Sequence, residues 1–245
     1  MMIDVCELWP GGPLYAQDPA APLGTDSVLL ADFVRPGGAE RGIDLGCGGG
    51  ILSLLLLGSS DKLHMTGLEL RPDAAALGRE NLARNGLSGR SEILTGDIRE
   101  HRSLFAPGSF DLAVSNPPYF PAGSGGRSPD PARAAARGEE YCSLPQLCRA
   151  ASWLLHTGGR FCLVHRPERL SEIFVCMHEN GLEPKRLRFV TVRAESAPSL
   201  VLAEGRRGGK PGLVIEPPLT LRDEKGEESG EVRRIYRREN EEMKK

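Results

Sequence analysis

The chain has 245 residues, 40% of them hydrophobic and 26% charged, with a formal net charge of −2. That length suffices for one α/β domain with a sizeable core, and the composition is that of a soluble globular protein rather than a disordered or fibrous one. The near-neutral balance excludes a wholly basic nucleic-acid coat, though not a local basic surface.

Taken in chain order, Glu7 to Pro22 are rich in Pro and Gly and read as an irregular lead-in, the main part of a first segment over residues 1–23. Gly24-Thr25-Asp26-Ser27-Val28-Leu29-Leu30-Ala31-Asp32-Phe33 predicts a packing helix, capped by Thr25 or Asp26 and stopped at Pro36-Gly37-Gly38. Next comes Ile43-Asp44-Leu45-Gly46-Cys47-Gly48-Gly49-Gly50, then the helix-like Ile51-Leu52-Ser53-Leu54-Leu55. This is a strand, a glycine turn and a helix start. Such glycines let backbone amides approach a ligand, and the helix end adds partial positive charge. A dinucleotide fingerprint would want a glycine where Ile51 stands, and a P-loop would want a Lys that is missing. The spacing here is Gly46, Gly48, Gly50, with Asp44 in front.

A second strand, His64 to Leu70, delivers Glu69 at 23 residues past Gly46 (69 − 46), where an acid on the neighbouring strand can accept from ribose hydroxyls. A helix then runs from Pro72 to Ala83 and stops at Asn85-Gly86. A third strand, Ser91 to Gly96, delivers Asp97, placed to accept from an adenine amine with Ile98 over the ring. Glu69 or Asp97 alone reads as an ordinary solvated carboxylate. Three acids at successive strand ends beside a glycine loop read as a nucleoside-containing cofactor site.

Phe110 to Ser115 predicts a buried strand that ends where Asn116-Pro117-Pro118-Tyr119 begins, because Pro cannot donate to a ladder and biases its predecessor to extended geometry. The Asn116 side chain and the Pro117 carbonyl offer two acceptors beside the Tyr119 ring, a set that suits a planar NH2 group. An ordinary Pro-rich turn has the same composition, and the upstream stretches favour the site.

Phe120 to Gly138 is a loop of Gly, Ser, Pro, Ala and Arg with little apolar content, expected to be mobile without ligand. After it come a helix over Leu144 to Leu155, a strand over Arg160 to Val164, and a helix over Leu170 to Asn180. Arg186 to Val192 and Ser199 to Glu204 predict an antiparallel strand pair at the sheet edge. Arg127, Arg137, Lys185, Arg186, Arg206 and Arg207 are the candidate phosphate contacts. Arg206-Arg207-Gly208-Gly209-Lys210 is the better candidate turn, and residues 222–245 read as a charged, partly frayed tail.

Six cysteines occur without a C-x-x-C pair, so metal-ligand spacing is absent and a disulfide framework is not expected. The first residues lack a basic-then-apolar leader, and the longest apolar run, Ile51 to Leu57, is too short for a bilayer. The expected setting is the cytoplasm, with no metal and no membrane partner.

Asp44-Leu45-Gly46-Cys47-Gly48-Gly49-Gly50, Glu69, Asp97 and Asn116-Pro117-Pro118-Tyr119 resemble the successive motifs of class I S-adenosylmethionine-dependent methyltransferases. Asn-Pro-Pro-Tyr is the form seen in enzymes that methylate exocyclic or amide nitrogens. From Gly24 to Tyr236 the chain is similar to the bacterial tRNA adenine-N6 methyltransferases that modify adenine 37 of a valine tRNA. The narrower likeness rests on Gly24 to Leu30, Asn116 to Phe120, Pro184 to Arg188, Val201 to Gly205 and Pro217 to Leu219. Arg137-Gly138-Glu139 stands where members often carry Arg-His-Glu, so any RNA contact of that His would be made differently here.

The resemblance implies a Rossmann-like α/β domain over residues 24–221, with a seven-stranded sheet, helices on both faces and an antiparallel pair at one edge. It implies S-adenosyl-L-methionine as cofactor, held by Asp44, Gly46, Cys47, Gly48, Gly50, Glu69, Leu70, Asp97, Ile98 and Asn116. Asn116, Pro117 and Tyr119 would meet the target adenine, and tRNA would be the partner. Two alternatives stand beside this reading. A protein glutamine methyltransferase also handles a planar NH2, although such enzymes usually carry an N-terminal helical domain and only about twenty residues precede the first helix here. A silent cofactor- or RNA-binding protein would not need the amine acceptors.

Overall fold

The computed structural model describes residues 5–17, 23–117 and 142–237. A short hairpin comes first, β1 (Val5–Glu7) with β2 (Leu14–Ala16), followed by α1 (Thr25–Val34), β3 (Arg41–Leu45), α2 (Ile51–Leu57), β4 (His64–Glu69) and α3 (Pro72–Arg84). Then come β5 (Ser91–Thr95), α4 (His101–Leu104), β6 (Phe110–Ser115), α5 (Leu144–Leu154), β7 (Leu155–His165) and α6 (Leu170–Glu179). The chain closes with β8 (Leu182–Thr191), β9 (Pro198–Arg207), β10 (Val214–Ile215), β11 (Leu219–Thr220) and α7 (Gly230–Ile235).

The main sheet runs β10-β8-β9-β7-β6-β3-β4-β5, with β11 also beside β8. The pairs from β7 through β6, β3 and β4 to β5 are parallel, and β9 is antiparallel to both β7 and β8. The seven long strands match the expected sheet, and the two-residue strands β10 and β11 add to it at the β8 edge.

Period-two alternation assigns each face its core. On β6, Leu112 and Val114 join the cluster that holds α1, α2 and α7, while Ala113 joins the one that holds α5 and α6. Strands buried on both faces read as continuous apolar runs, which is how β6 looks in the sequence.

Four local readings change. The lead-in is not wholly irregular: Asn81 of α3 donates to the Ala16 carbonyl and accepts from its amide, and Asn85 does the same for Leu14. Those side chains supply an edge that the short hairpin lacks on its own. The N-cap of α1 is Gly24, with Thr25 and Asp26 inside the first turn. β7 starts at Leu155 directly after α5, so Gly158 and Gly159 lie within the strand beside a register shift between Phe110 and Leu112. The tail is docked through Ile235: α7 buries Val232 and Ile235, its N-cap Ser229 accepts from the Val232 amide, and Glu231 pairs with Arg188 at 2.8 Å. Within β8, Pro184 lacks a ladder donor, and the register shifts between it and Arg186.

Candidate active site

Chain order reverses on β3, which has β4 on one side and β6 on the other. In an open parallel sheet that reversal opens a crevice at the carboxyl ends, the natural place for a ligand. The glycine loop fills its floor. Gly46, Gly48 and Gly50 have φ of 76°, 51° and 78°, conformations that favour glycine, and a side chain at Gly48 would meet nothing within 4 Å. The loop therefore faces open space. The Gly46 amide donates to the Leu68 carbonyl at 2.8 Å, tying the loop to β4.

The three acids have different surroundings. Glu69 accepts from the Gly48 amide at 2.9 Å through one oxygen and from the Arg71 amide at 2.9 Å through the other. Its carboxylate fixes the loop and keeps further lone pairs for a ligand's hydroxyls. Asp44 is buried; Ser53 donates to Oδ2 at 3.3 Å, and among the described residues nothing hydrogen-bonds Oδ1. Burial pushes its pKa up to about 7, with Glu69 adding repulsion and Ser53 opposing. Asp97 caps the short turn Ile98–Glu100 by accepting from the Arg99 amide at 2.8 Å, and it also holds the Arg99 guanidinium. That hydrogen bond holds the Asp97 carboxyl below the usual range. Arg99, two residues on, is a partner that the sequence reading missed.

Cys47 gives the loop its backbone only. Its thiol is buried against Gly67 of β4, where a Cβ would stand 2.6 Å from the sulfur, and burial raises its pKa. Ile98 packs over Gly46, and Leu70 lies half-buried just past β4. Asn81 donates to the Gly49 carbonyl at 3.0 Å while holding the N-terminal hairpin, so the hairpin buttresses the loop.

β6 brings Asn116 to the same crevice. Ser115 donates to the Leu45 carbonyl at 2.7 Å, which locks the end of β6 to the end of β3. The Asn116 amide nitrogen donates to the Ser27 hydroxyl of α1 at 2.9 Å. Pro117 follows, half-buried. Pro118, Tyr119, Arg127, Arg137 and the whole Phe120 to Gly138 loop lie outside the described residues.

A family model described as the methyltransferase small domain matches residues 22–175. The chain belongs to that family. Among curated relatives, the methyltransferase is 35% identical to the tRNA1(Val) (adenine(37)-N6)-methyltransferase of Porphyromonas gingivalis, over 75% of this chain and 74% of that one. It is 30% identical to the protein of the same name from Bacteroides thetaiotaomicron, over 89% of this chain and 90% of that one. A predicted O-methyltransferase from Agrobacterium tumefaciens shares the fold, with a TM-score of 0.70 at 21% identity over 86% of this chain and 95% of that one.

The cofactor of the methyltransferase is S-adenosyl-L-methionine, and the crevice fits it on two counts. The open space over the glycine loop admits a ligand, and the buried Oδ1 of Asp44 suits a ligand donor, an ammonium above all. Among the described residues no helix is long and apolar enough to cross a membrane, and no His, Cys, Asp and Glu cluster is arranged to hold a metal ion.

The basic candidates divide. Arg186 is committed inside the fold: it pairs with Glu204 at 3.0 Å and Glu216 at 3.3 Å and stacks 4.1 Å over the Phe33 ring. These partners argue against the expected contact of Arg186 with RNA. Lys185, Arg206 and Arg207 instead line an open depression of about 400 Å³ with Thr157 and Lys210. Arg206 opposes Arg160 on β7, whereas Ser115 opposes Leu163. The rungs of Arg206 and Asn116 thus differ by four residues, roughly 13 Å along the strands. The depression opens at the opposite end of the sheet from the crevice.

Proposed function

We propose that this enzyme transfers a methyl group from S-adenosyl-L-methionine to the exocyclic N6 of an adenine in tRNA, adenine 37 of a valine tRNA. The observation that carries the reading is Asn116, locked through Ser115 to the end of β3 beside the glycine loop and held by its amide nitrogen. The relatives that share this chain over most of its length carry that activity in their names. Asp44, Gly46, Cys47, Gly48, Gly50, Glu69, Leu70, Asp97 and Ile98 would surround the cofactor, Glu69 through its hydroxyl-accepting oxygens.

Bound in the crevice, S-adenosyl-L-methionine supplies an electrophilic methyl group and leaves as S-adenosyl-L-homocysteine. The work of the chain is to make the amine a competent nucleophile. Adenine N6 is poor in that role because its lone pair is delocalised into the ring. The Asn116 carboxamide oxygen and the Pro117 carbonyl accept its two hydrogens, and both bonds strengthen as nitrogen becomes tetrahedral and cationic. Asn116 is too weak a base to take the proton, so it polarises and positions, and the proton passes to water after transfer. Tyr119 would stack on the base and fix its plane. The adenine must leave its stack to enter, which a single-stranded anticodon loop permits at low cost.

The depression of Lys185, Arg206, Arg207 and Lys210 would receive backbone phosphates of the same RNA, and Arg127 and Arg137 are the further candidate phosphate contacts. The setting is the cytoplasm, where tRNA is modified. The test offers labelled S-adenosyl-L-methionine to unmodified total tRNA and, separately, to a protein extract. Label in one valine tRNA supports the reading, whereas label on protein glutamine and none in RNA would replace it with glutamine methylation.

A further inference from the structure

We propose that Ser27 is a positioning residue for the reaction, acting through Asn116 and resting on the reading of Asn116 as the amine acceptor. Ser27 lies in the first turn of α1 and is buried, 6% exposed. Its hydroxyl oxygen is 2.9 Å from the Asn116 amide nitrogen, across 89 residues of sequence. The bond ties the start of that helix directly to the reacting position at the end of β6.

The chemistry of the carboxamide explains why such a partner is needed. The oxygen and nitrogen ends of Asn116 have almost the same shape, and rotation about the last side-chain bond exchanges them. Only the oxygen can accept from an adenine amine. The nitrogen turned toward the amine would set donor against donor. Ser27 accepts from the nitrogen end and so holds the oxygen end as the acceptor of the pair. A serine hydroxyl at this depth also replaces the water that a polar N–H gives up on burial. The stretch Gly24 to Leu30, whose residues taken by themselves predict a packing helix, thereby gains a second task.

Ser27→Ala removes the acceptor without adding volume, and Ser27→Thr keeps it. The experiment measures the single-turnover rate of methyl transfer from labelled S-adenosyl-L-methionine to an unmodified valine tRNA transcript, together with the Kd of each ligand. Ser27→Ala is expected to slow transfer about tenfold, the loss of one buried hydrogen bond felt at the transition state. Both Kd values stay as in the parent, and Ser27→Thr restores the rate. In an Asn116→Ala background, Ser27→Ala has no further effect, because the two residues act as one unit. A Ser27→Ala enzyme with the parent rate overturns the proposal. So does a loss that persists undiminished in the Asn116→Ala background, or one matched by loss of cofactor binding that Thr fails to restore. If Asn116→Ala itself turns over normally, the acceptor reading falls as well. A slow Asn116→Ala beside a normal Ser27→Ala removes only the role of Ser27.

Discussion

The two ends of the sheet expose their polar groups to different degrees. At the carboxyl ends of β3, β4 and β6, each polar side chain is fixed by a backbone or buried partner before any ligand arrives: Glu69 by two amides, Ser115 by Leu45, Asn116 by Ser27. At the far end, Lys185, Arg206 and Arg207 each donate to one backbone carbonyl, but Arg206 and Lys210 stay exposed and line an open depression. The first arrangement suits chemistry, where sub-ångström placement sets the rate. The second suits a polyanion, which is gripped by charge in many nearly equivalent poses. Between them, Arg160, Arg186 and Arg188 hold carboxylates and carbonyls of the fold. One residue type serves structure and surface within a few positions, so burial separates the two roles.

The largest effect should come from breaking the fixed end. Asn116→Ala is expected to lower kcat by about 10²–10³-fold, in the range for loss of one transition-state hydrogen-bonding group, while cofactor Kd changes by less than about threefold. Equal losses in both would mean that the residue merely shapes the pocket.

Arg186→Ala sharpens the contrast from within the fold. It leaves Glu204 with Arg160 at 3.8 Å and Glu216 with Arg35 at 3.4 Å as their remaining cationic partners, and should cost roughly 2–3 kcal/mol in denaturant melts, with tRNA affinity of the folded fraction unchanged. A drop in tRNA affinity with stability intact would return Arg186 to the RNA surface.

Asp44 gives a pH signature. Burial raises its pKa from 3.8 to about 7, so the folded chain keeps this proton over a range in which the unfolded chain has released it. Stability from this group is therefore full below about pH 4, falls as pH rises toward 7 and is flat beyond. Between pH 5 and pH 7 the ligand-free enzyme should lose roughly 2–3 kcal/mol through Asp44, a slope that Asp44→Asn removes. Parallel slopes in the two proteins would place the titration elsewhere.

The smallest effect belongs to the exposed end. Arg206→Ala with Lys210→Ala should weaken tRNA binding about fivefold at low salt. It should also flatten the log–log salt dependence by about one unit for each phosphate no longer neutralised, leaving the rate from saturated complexes intact. An unchanged salt slope would remove this depression from the RNA path.

Much of this was legible in the residues because it is local. Strand β6 announces itself as an apolar run ended by prolines, the glycine loop by its spacing, and Glu69 and Asp97 by their places at strand ends. What escaped is non-local or depends on burial. Nothing near Ser27 indicates that it meets a residue 89 positions away. The hairpin β1–β2 is too short to register as strands and exists because Asn81 and Asn85 of α3 complete its hydrogen bonding. The tail helix α7 has few apolar residues, and its docking rests on Val232, Ile235 and the Glu231–Arg188 pair. Arg186 and Arg206 look alike in a sequence, since each lies in a short basic run.

The most direct test of the central claim is the chemical identity of the product. Unmodified tRNA incubated with the enzyme and labelled S-adenosyl-L-methionine would be digested to nucleosides and analysed by mass spectrometry. Under the proposed roles, carbonyl acceptors at Asn116 and Pro117 would select the exocyclic NH2 of adenine, so the labelled nucleoside is predicted to be N6-methyladenosine. A label on a ring nitrogen or a ribose hydroxyl would contradict the account, because neither presents two hydrogens to those acceptors.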